Sequence, residues 1–208
     1  MQKLTAGFGA LCIGLGLSST AFALPTSTRY VQKGTTAEGS VDLDDPSGCV
    51  RGTLYVSAAE DTYKDQTGAS HSRGIFVNFV GEDTCRGLVT NLDTSLLPLT
   101  TQINTQSFSY TFNLNVPFIK PDAEDPVPVY RRLTGTMVIT ASGDFERSHE
   151  NHITISKTER VSVRSKRNTR DADAVVNNAK LGGVSTSFLP GTGSLGETKT
   201  ATVEISRY

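Results

Sequence analysis

The chain has 208 residues, 20% of them charged, and a formal net charge of −1. That length suits one all-β or mixed domain or two small ones, and the near-neutral charge excludes a globally basic nucleic-acid binder. With 37% hydrophobic residues a core can form, and 27 Thr beside 20 Ser tilt the chain toward strands.

Residues 1–23 read as a signal peptide. Met1-Gln2-Lys3 supplies a positive start, Leu4 to Leu17 is an uncharged apolar run, and Ala21-Phe22-Ala23 places small residues where a signal peptidase reads them. The run is shorter than the roughly 20 apolar residues of a membrane helix, so the mature chain, starting at Leu24, is expected to have no transmembrane segment. Cys12 follows Leu11 where a lipoprotein site wants a small residue, which disfavours lipidation. The expected location is secreted, periplasmic or extracellular.

Residues 24–38 read as an N-terminal extension and residues 39–208 as the folded domain. Asp44-Asp45-Pro46-Ser47-Gly48 is a turn. After it Cys49 and Cys85 form an even pair in an exported chain, which predicts a disulfide, since no C-x-x-C motif or nearby His suggests a redox or metal pair. Closing that loop is worth about 3–4 kcal/mol in the chain-entropy account. Val50, Leu54, Val56 and Ala58 alternate with polar residues as a strand, and Gly74 to Val80 is apolar on both faces, as in a central strand. Phe108, Tyr110, Phe112, Leu114 and Val116 give the clearest alternation, a strand with one buried and one wet face.

Pro121 to Pro128 carries three prolines and three acids and breaks any central strand, reading either as a crossing loop or as a linker between two subdomains. Strands follow at Arg132 to Thr140, Ile153 to Ile155 with Val161 and Val163, and Thr200 to Ser206. Asp171 to Leu181 reads as a short helix or a loop. The even spacing of strands predicts an all-β, antiparallel β-sandwich with one disulfide.

Candidate chemistry is sparse. Gly191-Thr192-Gly193-Ser194-Leu195-Gly196 fits the dinucleotide G-x-G-x-x-G, but Pro190 precedes it and a Thr-rich strand follows, so it reads as a flexible loop. His149 and His152 fall on opposite faces of a strand, whereas Glu146, Glu150 and His152 share one. His71 stands alone in a Ser/Gly stretch, and neither Ser70 nor Ser194 has the G-x-S-x-G pattern of a nucleophile elbow. Asp42, Asp44 and Asp45 form an oxygen-rich cluster that lacks the distal Glu of a calcium loop, leaving them weak metal candidates. No cofactor is expected. Arg160, Arg164, Lys166, Arg167 and Arg170 lie in the densest charge run, opposed by Glu159 alone. Arg160, Ser162, Arg164 and Lys166 share one strand face, a stripe suited to phosphates, sulfated glycans or anionic headgroups, or else to a wet edge strand.

Ser47-Gly48-Cys49-Val50 leading into Val56-Ser57-Ala58-Ala59-Glu60-Asp61, then Asp83-Thr84-Cys85 and Arg170-Asp171-Ala172, resembles a group of short secreted bacterial all-β proteins. The resemblance spans most of residues 39–206 and implies a secreted β protein with no particular activity.

The expected function is therefore non-catalytic: an exported β-sandwich protein of the cell envelope or extracellular space, with a structural or surface-binding role. Its expected partner is an anionic glycan or envelope component, not nucleic acid. The rivals are a secreted hydrolase, disfavoured by the scattered histidines, and a carbohydrate-binding module, disfavoured by the absence of Trp, with Tyr55, Tyr63, Tyr110 and Tyr130 only partial substitutes. A third is a filament subunit exchanging Leu24 to Lys33 as a strand.

Overall fold

The computed structural model describes residues 26–122, 124 and 127–206. The signal peptide expected over residues 1–23 lies outside them. Within the described residues the protein is all-β: β1 (Thr26–Asp44), β2 (Val50–Lys64), β3 (Ala69–Asp83), β4 (Leu88–Asp93), β5 (Leu97–Pro98), β6 (Ser107–Phe118), β7 (Val129–Ala141), β8 (Glu146–Ile155), β9 (Glu159–Leu181), β10 (Val184–Ser185) and β11 (Ser187–Ser206). No helix among them is long and apolar enough to cross a membrane.

The strands form one antiparallel sheet in the order β4-β3-β2-β1-β11-β9-β7-β6, with β5 paired to β3 and β8 and β10 paired to β9. Its two ends meet: Val89 of β4 and Ile119, just beyond β6, exchange both backbone hydrogen bonds at 2.8 Å. The eight-strand path thus curls round on itself as a barrel, where two facing sheets were expected. Alternation along a strand is the same for either arrangement; only the pairing of β1 with β11 and the β4–β6 bridge separates them. Eight strands leave an interior just wide enough for side chains to fill, and here Leu54, Phe79, Phe112, Phe118, Met137, Ile139 and Leu195 fill it. The core cluster draws on strands before and after residues 121–128, which connect the directly paired β6 and β7.

Most expected strands are present, several of them longer than their alternation showed. Gly74 to Val80 lies within β3, with Gly74, Ile75, Val77 and Phe79 buried; Val80 faces outward and is 49% exposed. Residues 26–38, expected to be an extension, belong to β1, which sits in the middle of the sheet between β2 and β11. The segment named for strand exchange is therefore paired within its own chain over Thr26 to Lys33.

Asp171 to Leu181 is strand, not helix or loop. Ala172 and Ala174 face the core from even positions, whereas Ala179 and Leu181 do so from odd ones. A register shift opposite Thr134–Thr136, with Asn178 at φ 55°, switches the parity. The glycine-rich 191–196 stretch is also strand. A Cβ at Gly191 or Gly193 would run into the carbonyl oxygens of Ser40 and Glu38, so these glycines let β1 and β11 approach closely beside the register shift between Ser40 and Asp42.

Cys49 and Cys85 are disulfide-bonded, with Cα atoms 5.3 Å apart. The bridge ties the start of β2 to the end of β3, where Asp83, 2% exposed, pairs with Arg131 on β7.

Candidate functional site

Six strands outrun the barrel. Beyond its rim, 26–35 of β1, 60–64 of β2, 69–73 of β3, 197–206 of β11, 159–169 of β9 and all of β8 continue as an open, projecting sheet. Every residue of β8 is exposed. Directly opposed residues of an antiparallel pair share a face, so the barrel lining can be followed outward along each strand. Val41 and Ala37 of β1 lead to Lys33 and Arg29, and Val56 and Ala58 of β2 lead to Glu60, Thr62 and Lys64. Leu195 of β11 leads to Glu197 and Lys199, and Ala174 and Ala172 of β9 lead to Arg170, Asn168, Lys166, Arg164 and Arg160.

The two faces of this projection carry opposite charge. The inner face holds Arg29, Lys33, Lys64, Arg73, Arg147, Arg160, Arg164, Lys166 and Lys199, with Glu60 and Glu197 its acids. The outer face holds Asp61, Glu146, Glu150, Glu159 and Glu204, with Arg167 as its cation. Around a chain of near-zero net charge, this separation makes a local field that the average hides.

One cross-strand row concentrates the effect. Reading across the sheet, His71, Thr62, Lys33, Lys199, Lys166 and His149 are successive direct partners on six neighbouring strands. Strand spacing puts adjacent members about 4.8 Å apart at the backbone. Like charges directly opposed disfavour pairing, yet three lysines stand side by side. All three are exposed, and none has a carboxylate within salt-bridge distance among the described residues.

The acids nearest the row are engaged elsewhere. Glu60 accepts a hydrogen bond from the Ile103 backbone N–H at 3.5 Å and lies 3.4 Å from His71 and 3.5 Å from Arg73. Glu197 accepts from Asn168 Nδ2 at 2.6 Å. Leu99 and Ile103 of the loop between β5 and β6 are buried at the barrel mouth. Between this loop and the sheet lies a cleft of about 450 Å³, lined in part by Lys33, Lys166 and Lys199, by the carboxylates of Glu60 and Glu197, and by Gln102.

The basic run of β9 is thus divided. Arg160, Arg164 and Lys166 share the inner face, and Arg167 lies on the outer one, where its Nε donates to Thr169 Oγ1 at 3.1 Å. Arg170 is half-buried and structural: Nε donates to the Thr105 carbonyl at 2.6 Å and the guanidinium stacks over Phe145, 4.3 Å from the ring centroid. It anchors the loop that walls the cleft.

Other candidates do not converge. Asp42 accepts from Thr53 Oγ1 at 2.6 Å and Asp44 from Ser187 Oγ at 3.4 Å. Asp45 accepts from the Ser47 hydroxyl and from the Val50 N–H. Partial burial raises the Asp45 pKa, but these hydrogen bonds outweigh it and hold the carboxyl below its usual range. His149 and His152 face opposite sides of β8, and Glu146, Glu150 and His152 share the outer face. Among the described residues no group of three or more His, Cys, Asp or Glu is placed to hold a metal ion.

Lys33 and Lys199 were missed in the sequence, where each is a single lysine in a Thr-rich stretch. Their local signal, a cation at an alternating position beyond a run of core residues, gains meaning only from the β1–β11 register. Comparison with known proteins finds no matching family model, curated protein or solved structure.

Proposed function

We propose that this protein is an exported, non-catalytic binding protein that holds an anionic glycan or a similar polyanion of the envelope or extracellular space on the inner face of its projecting sheet. The observation that carries the reading is the separation of charge between the faces: Lys33, Arg164, Lys166 and Lys199 on one side, Asp61, Glu150 and Glu204 on the other. A face with an excess of one sign favours an extended partner of the opposite sign. Val31, Ala201 and Val203 lie on the same face beside these cations and bring no opposing charge.

The test is retention of the purified protein on a sulfated-glycan resin under a salt gradient. Binding is expected at low salt and to weaken steeply as salt rises, because ion release and screening govern such contacts. The Arg160→Ser, Arg164→Ser, Lys166→Ser triple variant is expected to elute at markedly lower salt with an unchanged melting temperature. No retention of the wild type on any polyanion at low salt overturns the proposal.

A further inference from the structure

We infer that the cleft beside the 99–106 loop seats one sulfate or phosphate monoester group of a glycan chain, gripped by Lys33, Lys199 and Lys166. The inference rests on the polyanion reading of the same face and names the group that the face takes.

Three features point to a discrete seat rather than a diffuse field. Lys33, Lys199 and Lys166 are direct neighbours on three consecutive strands, so a group above Lys199 is reached by ammonium donors from both sides. The carboxylates that would neutralise them are tied down: Glu60 by Ile103, His71 and Arg73, and Glu197 by Asn168. These acids lie one pairing step toward the barrel, so they repel an anion outward onto the lysines and give the seat a direction.

The surroundings favour a sugar as the carrier. Thr35, Thr62 and Gln102 put hydroxyl and amide groups around the cleft, partners for sugar hydroxyls. Its volume of about 450 Å³ falls within the range of small-ligand sites. The loop that walls the cleft is held by the Arg170–Thr105 hydrogen bond.

The experiment uses four probes: a sulfated disaccharide, its unsulfated parent, vesicles of anionic lipid, and a long sulfated glycan. Each is titrated by calorimetry against wild type, K33Q/K199Q and the outer-face variant R167S. The double lysine variant is expected to fold at least as stably as wild type, since it removes opposed like charges, and melting curves check this. The sulfated disaccharide is expected to bind wild type, to lose at least about tenfold affinity in K33Q/K199Q, and to change less than about threefold in R167S. The unsulfated parent is expected not to bind. Undiminished disaccharide affinity in K33Q/K199Q, equal binding of the parent, or binding to vesicles without binding to the disaccharide overturns the seat. The two readings fail separately. If the long glycan binds but the disaccharide does not, the seat falls and the surface stands; if the disaccharide binds at the lysines but the long glycan does not, the surface reading falls.

Discussion

The barrel and the projecting sheet are built from the same strands, yet they obey different rules on the same face. Along β1, Val41 and Ala37 are sealed in the core, while Lys33 and Arg29 farther along the same side are exposed. Closure makes the difference. Where the β4–β6 bridge brings the far side of the sheet around, apolar side chains find partners across the interior. Past the rim no strand among the described residues lies opposite, and the face meets solvent. Identical pleating therefore yields a core or a binding face according to what stands across from it.

The largest expected effect breaks the barrel half of this contrast. Phe79→Ala removes a fully buried ring and should cost about 3–5 kcal/mol in denaturant unfolding, whereas the Arg160, Arg164 and Lys166 substitutions on the projection should each stay within about 0.5 kcal/mol. Next comes Cys85→Ser, which frees the disulfide anchoring β2 to β3 and should lower stability by about 2–5 kcal/mol; intact mass of the unreduced wild type should show no free thiol at Cys49 or Cys85. The smallest effect sits at the β1–β2 turn. The Asp45 carboxyl is held below its usual pKa, so its contribution is complete above the ordinary carboxylate range and lost as pH falls through the lowered folded-state value. Asp45→Asn should cost about 1 kcal/mol at neutral pH, and the gap to wild type should close in strong acid; a gap that persists there would refute the assignment.

Legibility in the sequence followed the reach of the interactions. Phe108 to Val116 was readable because one face of β6 is buried throughout, and Asp44 to Gly48 because turn residues act locally. The Cys49–Cys85 bridge followed from counting cysteines. Asp171 to Leu181 was misread because the parity switch at Asn178 separates Ala172 and Ala174 from Ala179 and Leu181 by a spacing that imitates a helix. Gly191 to Gly196 was misread because its glycines answer to a strand far away in the chain, not to a turn. The candidate site was half visible. Arg160, Arg164 and Lys166 announced themselves as a run, while their lysine neighbours arrive from distant strands by register alone.

The pairing of the first strand with the last has a bearing on how the chain reaches this state. β1 can find β2 as soon as the turn at Asp44 to Gly48 forms, but its other edge stays bare until β11, at the far end of the polypeptide, arrives. The rim glycines, the lysine row and the closed barrel all wait for that event. A chain delivered N-terminus first thus carries an open central edge until β11 emerges, and such nonlocal closure places it among the slow β folders. Any partner able to lie along β1 in that interval competes with β11 for the same backbone hydrogen bonds, so the interval before closure, more than the finished barrel, is when this protein is most exposed to aggregation.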